Sequence, residues 1–177
     1  TTQIDQSSNK AIINWQTFSV GNNEFVRFNQ PGSSSVTLNR VVTANPSEIL
    51  GNLSANGQVF LVNPHGVYFG AGAKLDVAGL VASTLSIRNE DFLSGNYTFF
   101  KETGTPTDSS VINAGDIRSS DGGYVVLIGD QAENSGLIEA RLGHVVLGSG
   151  SRITLDVEGD GLVGFAVDEA ALSELAR

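Results

Sequence analysis

Ile49 to Gly70 reads ILGNLSANGQVFLVNPHGVYFG: two apolar runs, Val59-Phe60-Leu61-Val62 and Val67-Tyr68-Phe69, parted only by Asn63-Pro64-His65-Gly66. Pro64 presets φ for the second position of a turn, Gly66 can take φ > 0, and Asn63 can bond its own backbone. The stretch therefore reads as strand, tight turn, strand. A four-residue corner between two buried strands is unusual in a hairpin sheet and ordinary in a parallel β-helix, where the chain turns and keeps the same hand. Because Val59 to Val62 is apolar at both parities, the sequence leaves open which side faces inward and calls for cover on both faces.

A loose repeat extends this reading. Gly51-Asn-Leu-Ser-Ala-Asn-Gly-Gln-Val-Phe-Leu-Val62, Gly115-Asp-Ile-Arg-Ser-Ser-Asp-Gly-Gly-Tyr-Val-Val-Leu-Ile128 and Gly136-Leu-Ile-Glu-Ala-Arg-Leu-Gly-His-Val-Val-Leu147 share one pattern: Gly, one residue, Leu or Ile, a polar link, Gly, an apolar strand. Asn113-Ala-Gly and Asn134-Ser-Gly are 21 residues apart, a spacing within the range of stacked solenoids. Each unit is one coil, a short strand burying one face while Gly and Asn take the corners.

Working outward, Ala11 to Trp15, Glu24 to Phe28 and Ser35 to Arg40 are short runs separated by turn clusters. Residues 1–44 are therefore expected as a β cap with the first strands, covering the open edge of the stack, and 45–88 and 111–167 as coils. The repeat breaks over 89–110, where Phe92, Tyr97, Phe99 and Phe100 are too apolar for a free loop; a hairpin laid against the coils is expected there, with Ser94-Gly95-Asn96 as its turn. Residues 168–177 read as the start of another coil or a short helix, and the array is expected to run on past Arg177. The fold class is all-β in a single domain.

Composition agrees. The chain of 177 residues has 21 glycines and few charged residues, which suits many short strands linked by turns. The absence of cysteine excludes disulfides and thiolate metal sites, and suits a protein that crosses an outer membrane unfolded. A net charge of −9, with Lys and Arg scattered singly, argues against nucleic acid and anionic membrane surfaces as partners. No apolar run approaches the ~20 residues that span a bilayer, so no membrane insertion is expected, and any export leader is expected to have been removed.

The chemical motifs are weak. Asp156, Glu158, Asp160 and Gly161 resemble the start of a calcium loop, but Val167 stands where a bidentate Glu belongs, so a solvated turn is the better reading. His65 and His144 fall on different coils without carboxylates at metal-ligand spacing, and Gly70 to Lys74 lacks the ending of a phosphate loop. Arg118, Glu139 and Arg141 could share an outer face, as a polysaccharide-active or glycan-binding β-helix would need, yet no paired carboxylates mark a catalytic site. No catalytic residue, cofactor or metal is assigned.

Several motifs in order resemble a known family: Ile12-Ile-Asn-Trp-Gln-Thr-Phe18, Phe28-Asn-Gln-Pro31, Ser35-Val-Thr-Leu-Asn-Arg-Val41, Asn45-Pro-Ser-Glu-Ile-Leu-Gly-Asn-Leu-Ser-Ala-Asn-Gly57, Val59-Phe-Leu-Val-Asn-Pro-His-Gly66, Gly79-Leu-Val-Ala-Ser-Thr84 and Asp91-Phe-Leu-Ser-Gly-Asn-Tyr-Thr-Phe99. They resemble the N-terminal secretion (TPS) domain of two-partner-secreted exoproteins, the filamentous haemagglutinin and high-molecular-weight adhesin group. The resemblance implies a right-handed parallel β-helix with an N-terminal β cap and extra-helical strands, monomeric and without enzymatic activity. It implies transit through the periplasm and recognition there by the POTRA domains of an outer-membrane, Omp85-type (TpsB-type) β-barrel transporter. It also implies a secreted or cell-surface location, nucleation of β-helix folding outside, and a downstream passenger that carries any contact with host-cell or matrix receptors.

The family's Asn-Pro-Asn-Gly secretion motif maps onto Asn63, Pro64, His65 and Gly66, with His65 departing at the third place. Its second marker, Asn-Pro-Asn-Leu, has no proper counterpart here; Asn29, Gln30 and Pro31, which sit near its place, and Asn45-Pro46, a separate feature, are the secondary candidates for a secretion motif.

Overall fold

A computed structural model describes residues 1–157 and the strand at 164–167. The chain winds in coils. The first contributes β1 (Thr2–Asp5) and β2 (Lys10–Trp15), the second β3 (Phe25–Asn29), β4 (Val36–Val41) and β5 (Ser47–Ile49), and the third β6 (Asn52–Ala55), β7 (Gln58–Val62) and β8 (Val67–Phe69). The fourth opens with β9 (Lys74–Ser83), leaves the stack through β10 (Ser86–Ile87), α1 (Asn89–Ser94) and β11 (Tyr97–Phe100), and returns in β12 (Ser110–Asn113). Then come β13 (Asp116–Gly129) and β14 (Gln131–Asn134), β15 (Leu137–Ala140) and β16 (His144–Ser149), and finally β17 (Arg152–Asp156) and β18 (Gly164–Val167).

Equivalent strands stack in three parallel ladders. One runs β1, β3, β6, β9, β13, β15. A second runs β2, β4, β7, β9, β13, β16. The third runs β5, β8, β12, β14, with Val20 of the first coil bridged to Ile49. This is the expected parallel β-helix. β9 serves two ladders because it bends at Ala78-Gly79: Leu75 and Val77 face inward before the bend, Leu80 and Ala82 after it. The three repeats read from sequence coincide, since Leu53, Leu75, Ile117 and Ile138 occupy one register column. The N-terminal region expected as a cap is built from strands of the same ladders. Ile4 and Trp15 pack on the interior, and Ile12 packs on the outer cluster.

Both faces of the second ladder are buried, as the double parity of Val59 to Val62 requires. Val59 and Leu61 join the coil interior, with Val67, Phe69, Leu80, Val125 and Leu127. Phe60 and Val62 point outward into a second cluster closed by Leu85, Phe92, Tyr97, Phe99, Ile153 and Leu155. That cover is an antiparallel sheet of β10, β11, β17 and β18.

The excursion departs from expectation at its tip. Antiparallel β10 and β11 begin at Ser86, and the link between them is the helix α1, not a tight turn. Glu90 and Asp91 lie in its first turn, where the helix dipole favours them, and Gly95, at φ 80°, ends it by donating its N–H to Phe92 O at 3.2 Å. Lys10 holds the helix from the ladder side, its Nζ donating to Phe92 O at 3.2 Å and lying 5.3 Å from the Tyr97 ring centre. Arg40 donates to Asn89 Oδ1 at 2.8 Å and to Ile87 O at 2.6 Å; burial lowers its pKa, and Glu102 works in the opposite direction. β17 and β18, within the stretch expected as coils, leave the ladders for this covering sheet. Glu158 to Gly161, in the acidic run, and the tail 168–177 lie outside the described residues.

Candidate functional site

The corner at 63–66 is where the second ladder hands over to the third. Pro64 has no N–H to continue β7, so pairing stops there, and Gly66, at φ 120°, takes a conformation that a side chain disfavours. Asn63 is fully buried. Its Oδ1 accepts the His65 N–H at 3.0 Å, and its carbonyl accepts the Gly66 N–H at 3.1 Å, which closes the turn locally.

The remaining donors of Asn63 reach two other coils. Its Nδ2 donates to Asn45 O at 2.8 Å and to Ser47 Oγ at 3.0 Å in the coil before, and its backbone N–H donates to Ser83 O at 2.9 Å in the coil after. Ser47 N–H in turn donates to Gly66 O at 3.0 Å. One residue, through its side chain to the coil before and its backbone N–H to the coil after, thus ties three successive coils at a corner. A buried amide is tolerated because each of its polar atoms is met.

The structure brings Asn45 and Pro46, separate in sequence, onto this corner. Pro46 Cβ lies 3.8 Å from where a side chain on Gly66 would begin. His65 is half-buried and contributes to the turn through its backbone N–H, which any residue but proline supplies. Its imidazole stands between the 40–46 segment and the 102–110 segment, facing cavities of about 430 and 290 Å³. Among the described residues, its Nδ1 is a buried side-chain atom without a hydrogen-bond partner. The outer segment is pinned over the corner by Lys101, paired with Asp130 at 2.6 Å, and by the Ser109 N–H donating to the same carboxylate at 3.0 Å.

Asn29, Gln30 and Pro31 lie on a different corner, between the first and second ladders. Gln30 carries the structural weight there. Its Nε2 donates to Thr37 Oγ1 at 3.0 Å, Gln58 O at 3.1 Å and Gln6 Oε1 at 3.2 Å, and its Oε1 accepts the Gly57 N–H at 3.0 Å. Its backbone is bonded on both sides by the side chain of Asn56, at 2.7 and 2.8 Å. Asn29 reaches Asp5 at 2.8 Å, and Pro31 is exposed. The two corners are alike in that a buried amide residue knots three coils, Gln30 through its side chain alone and Asn63 through its side chain and backbone together. Asn56, Ser47 and Ser83 complete these knots; only Asn56, before Gly57, carries a local turn signal.

Arg118 and Glu139 are neighbours on the outer face of the first ladder, 3.4 Å apart, and Arg118 is also bonded to Asp116 at 3.0 Å. That hydrogen bond and the surrounding carboxylates raise the pKa of Arg118. Arg141 faces Asp121 at 4.0 Å and does not join them. No group of three metal-ligating side chains forms among the described residues, and no described helix is long and apolar enough to cross a membrane.

The chain matches the family model of the TPS secretion domain over residues 1–171. It is 38% identical over 180 residues to a heme/hemopexin-binding protein of Haemophilus influenzae strain Rd, covering 98% of this chain and 20% of that protein. A second heme/hemopexin-binding protein of Haemophilus influenzae is 43% identical over 100 residues, 56% of this chain and 11% of that one. The chain thus spans a fifth or less of the curated relatives it matches. The HMW1 secretion domain of Haemophilus influenzae, solved by crystallography, superposes with a TM-score of 0.80 at 34% identity over 92% of this chain and 44% of that one.

Proposed function

We propose that this chain, which belongs to the TPS secretion domain family and so serves in two-partner secretion of an exoprotein, is read in the periplasm by the POTRA domains of its outer-membrane transporter and nucleates β-helix folding at the cell surface. The observation that carries this reading is the corner at Asn63. The residues that map onto the family's secretion motif form a knot of buried hydrogen bonds between coils, which holds only when those coils are stacked.

An unfolded periplasmic chain offers short uncharged β segments such as Val59 to Val62, suited to adding a strand to a sheet edge of the receptor. Outside, the knot at Asn63 closes the first coils, and each later coil buries apolar surface on a template already formed. Every completed coil resists backsliding, so transfer needs no nucleotide hydrolysis at the outer membrane. The role asks for binding and folding and assigns no catalytic residue.

The test is export of the chain, behind a signal peptide, from cells with and without the cognate transporter, comparing the parent with Asn63→Ala and Arg118→Ala. The expected result is transporter-dependent export of the parent and of Arg118→Ala, with export of Asn63→Ala reduced at least tenfold. Equal export of all three would overturn the role of the corner, and export without the transporter would overturn the address.

A further inference from the structure

The outer face of the first ladder belongs to neither corner and lies away from the covering sheet. Two columns of side chains run along it, one rung per coil: Arg27, Ser54, Asp76, Arg118 and Glu139, and beside them Phe25, Asn52, Lys74, Asp116 and Leu137. They bound an open groove of about 620 Å³ from Phe25 to Arg118. Phe25 is half exposed, at 51%. Arg118 is held by Asp116 and Glu139, whereas Arg27 and Lys74 are exposed and take no hydrogen-bond or ion-pair partner among the described residues. By contrast, the outward column of the third ladder is Glu48, Tyr68, Ile112 and Glu133.

We propose that this groove binds an acidic polysaccharide, a glycan chain bearing carboxylate or sulfate groups, lying along the axis of the β-helix. The chemistry is mixed in the way such a chain requires. An exposed aromatic ring suits the apolar face of a sugar, Asp76 accepts from hydroxyls, and the uncommitted cations Arg27 and Lys74 meet acid groups. Successive rungs are about 4.8 Å apart, close to the length of one pyranose unit, so a linear glycan meets a new pair of side chains at each coil. Asp76, Asp116 and Glu139 surround Arg118 and leave Arg27 and Lys74 as the cations open to acid groups, so a chain whose acid groups alternate with hydroxyls fits the groove better than a uniformly charged phosphodiester backbone. This binding is independent of the secretion role and belongs to the folded domain.

Immobilised heparin, polygalacturonate and neutral dextran distinguish the possibilities, with the folded chain applied at about 0.15 M salt. Retention on heparin or polygalacturonate, none on dextran, weakening as salt rises, and an affinity at least tenfold lower for R27A/K74A is the expected result. Phe25→Ala should lose severalfold, and Arg152→Ala, an exposed arginine on β17, nothing. Matching thermal unfolding of each variant establishes that its fold is intact. Absence of binding to both acidic polymers, equal retention on dextran, unchanged binding by folded R27A/K74A, or an equal loss for Arg152→Ala would each overturn the proposal.

Discussion

The side-chain amide of Asn63 donates to the backbone carbonyl of Asn45 at 2.8 Å, across one full coil of the β-helix. A turn residue is thereby also a bond between layers of the stack. Replacing it with alanine leaves Ser47 Oγ without its partner in a buried place, and Asn45 O and the His65 N–H without theirs in partly buried ones. The loss expected is on the order of 3 kcal/mol, and larger for Asn63→Asp, which sets a buried carboxylate against the Asn45 carbonyl. Urea unfolding of the two variants beside the parent checks both the size and the order; equal stability of all three would refute the knot.

Phe60 is the hub of the outer cluster, edge-on to Phe92 at 5.6 Å and to Tyr97 at 5.0 Å between ring centres. Phe60→Ala should cost about 3–5 kcal/mol and Phe60→Leu far less, since the leucine keeps most of the volume. The loss should fall unevenly. Hydrogen exchange is expected to quicken first in α1 and β11, which rest on this ring, and later in β8 and β12 on the other side of the stack; uniform quickening would show that the cover is not a separate layer.

A side chain on Gly143 would begin 2.1 Å from the carbonyl oxygen of Gly123 in the coil before, a backbone atom that cannot swing aside. Around Gly32 nothing lies within 4 Å of that position. Gly143→Ala is therefore expected to lower the unfolding midpoint and fray β16, while Gly32→Ala stays within about 0.5 kcal/mol of the parent. Thermal melts with amide exchange in β16 provide the comparison.

Much of this architecture is legible in the sequence, for a physical reason. A stack of like coils repeats its instructions, so Gly, an apolar residue two places on and a second Gly recur in the coils that open at Gly51, Gly115 and Gly136. The uniform apolarity of Val59 to Val62 calls for cover on both faces without specifying which segment supplies it. What could not be read is set by partners distant along the chain. Ser94-Gly95-Asn96 carries a turn signal whether it ends a helix or joins two strands, and α1 forms because Phe92 finds the cluster around Phe60 and Lys10 bonds the last carbonyls. The bond from Asn63 to Asn45 and the cage around Gln30 likewise depend on register between coils, which no local window contains. By sequence Arg118, Glu139 and Arg141 could share an outer face, but Arg141 lies beyond the strand end and turns to Asp121.

The central claim, that the chain crosses the outer membrane unfolded and stacks its coils outside, is tested most directly by locking the stack in the periplasm. Ile112 and Glu133 are register partners on adjacent parallel strands with outward side chains, and strands so paired lie about 4.8 Å apart, within the span of a disulfide. The parent has no cysteine, so I112C/E133C forms a single defined crosslink. Export measured with the transporter present should be blocked for the oxidised variant and restored to the parent's level when the periplasm is kept reducing. Undiminished export of the crosslinked form would contradict the account.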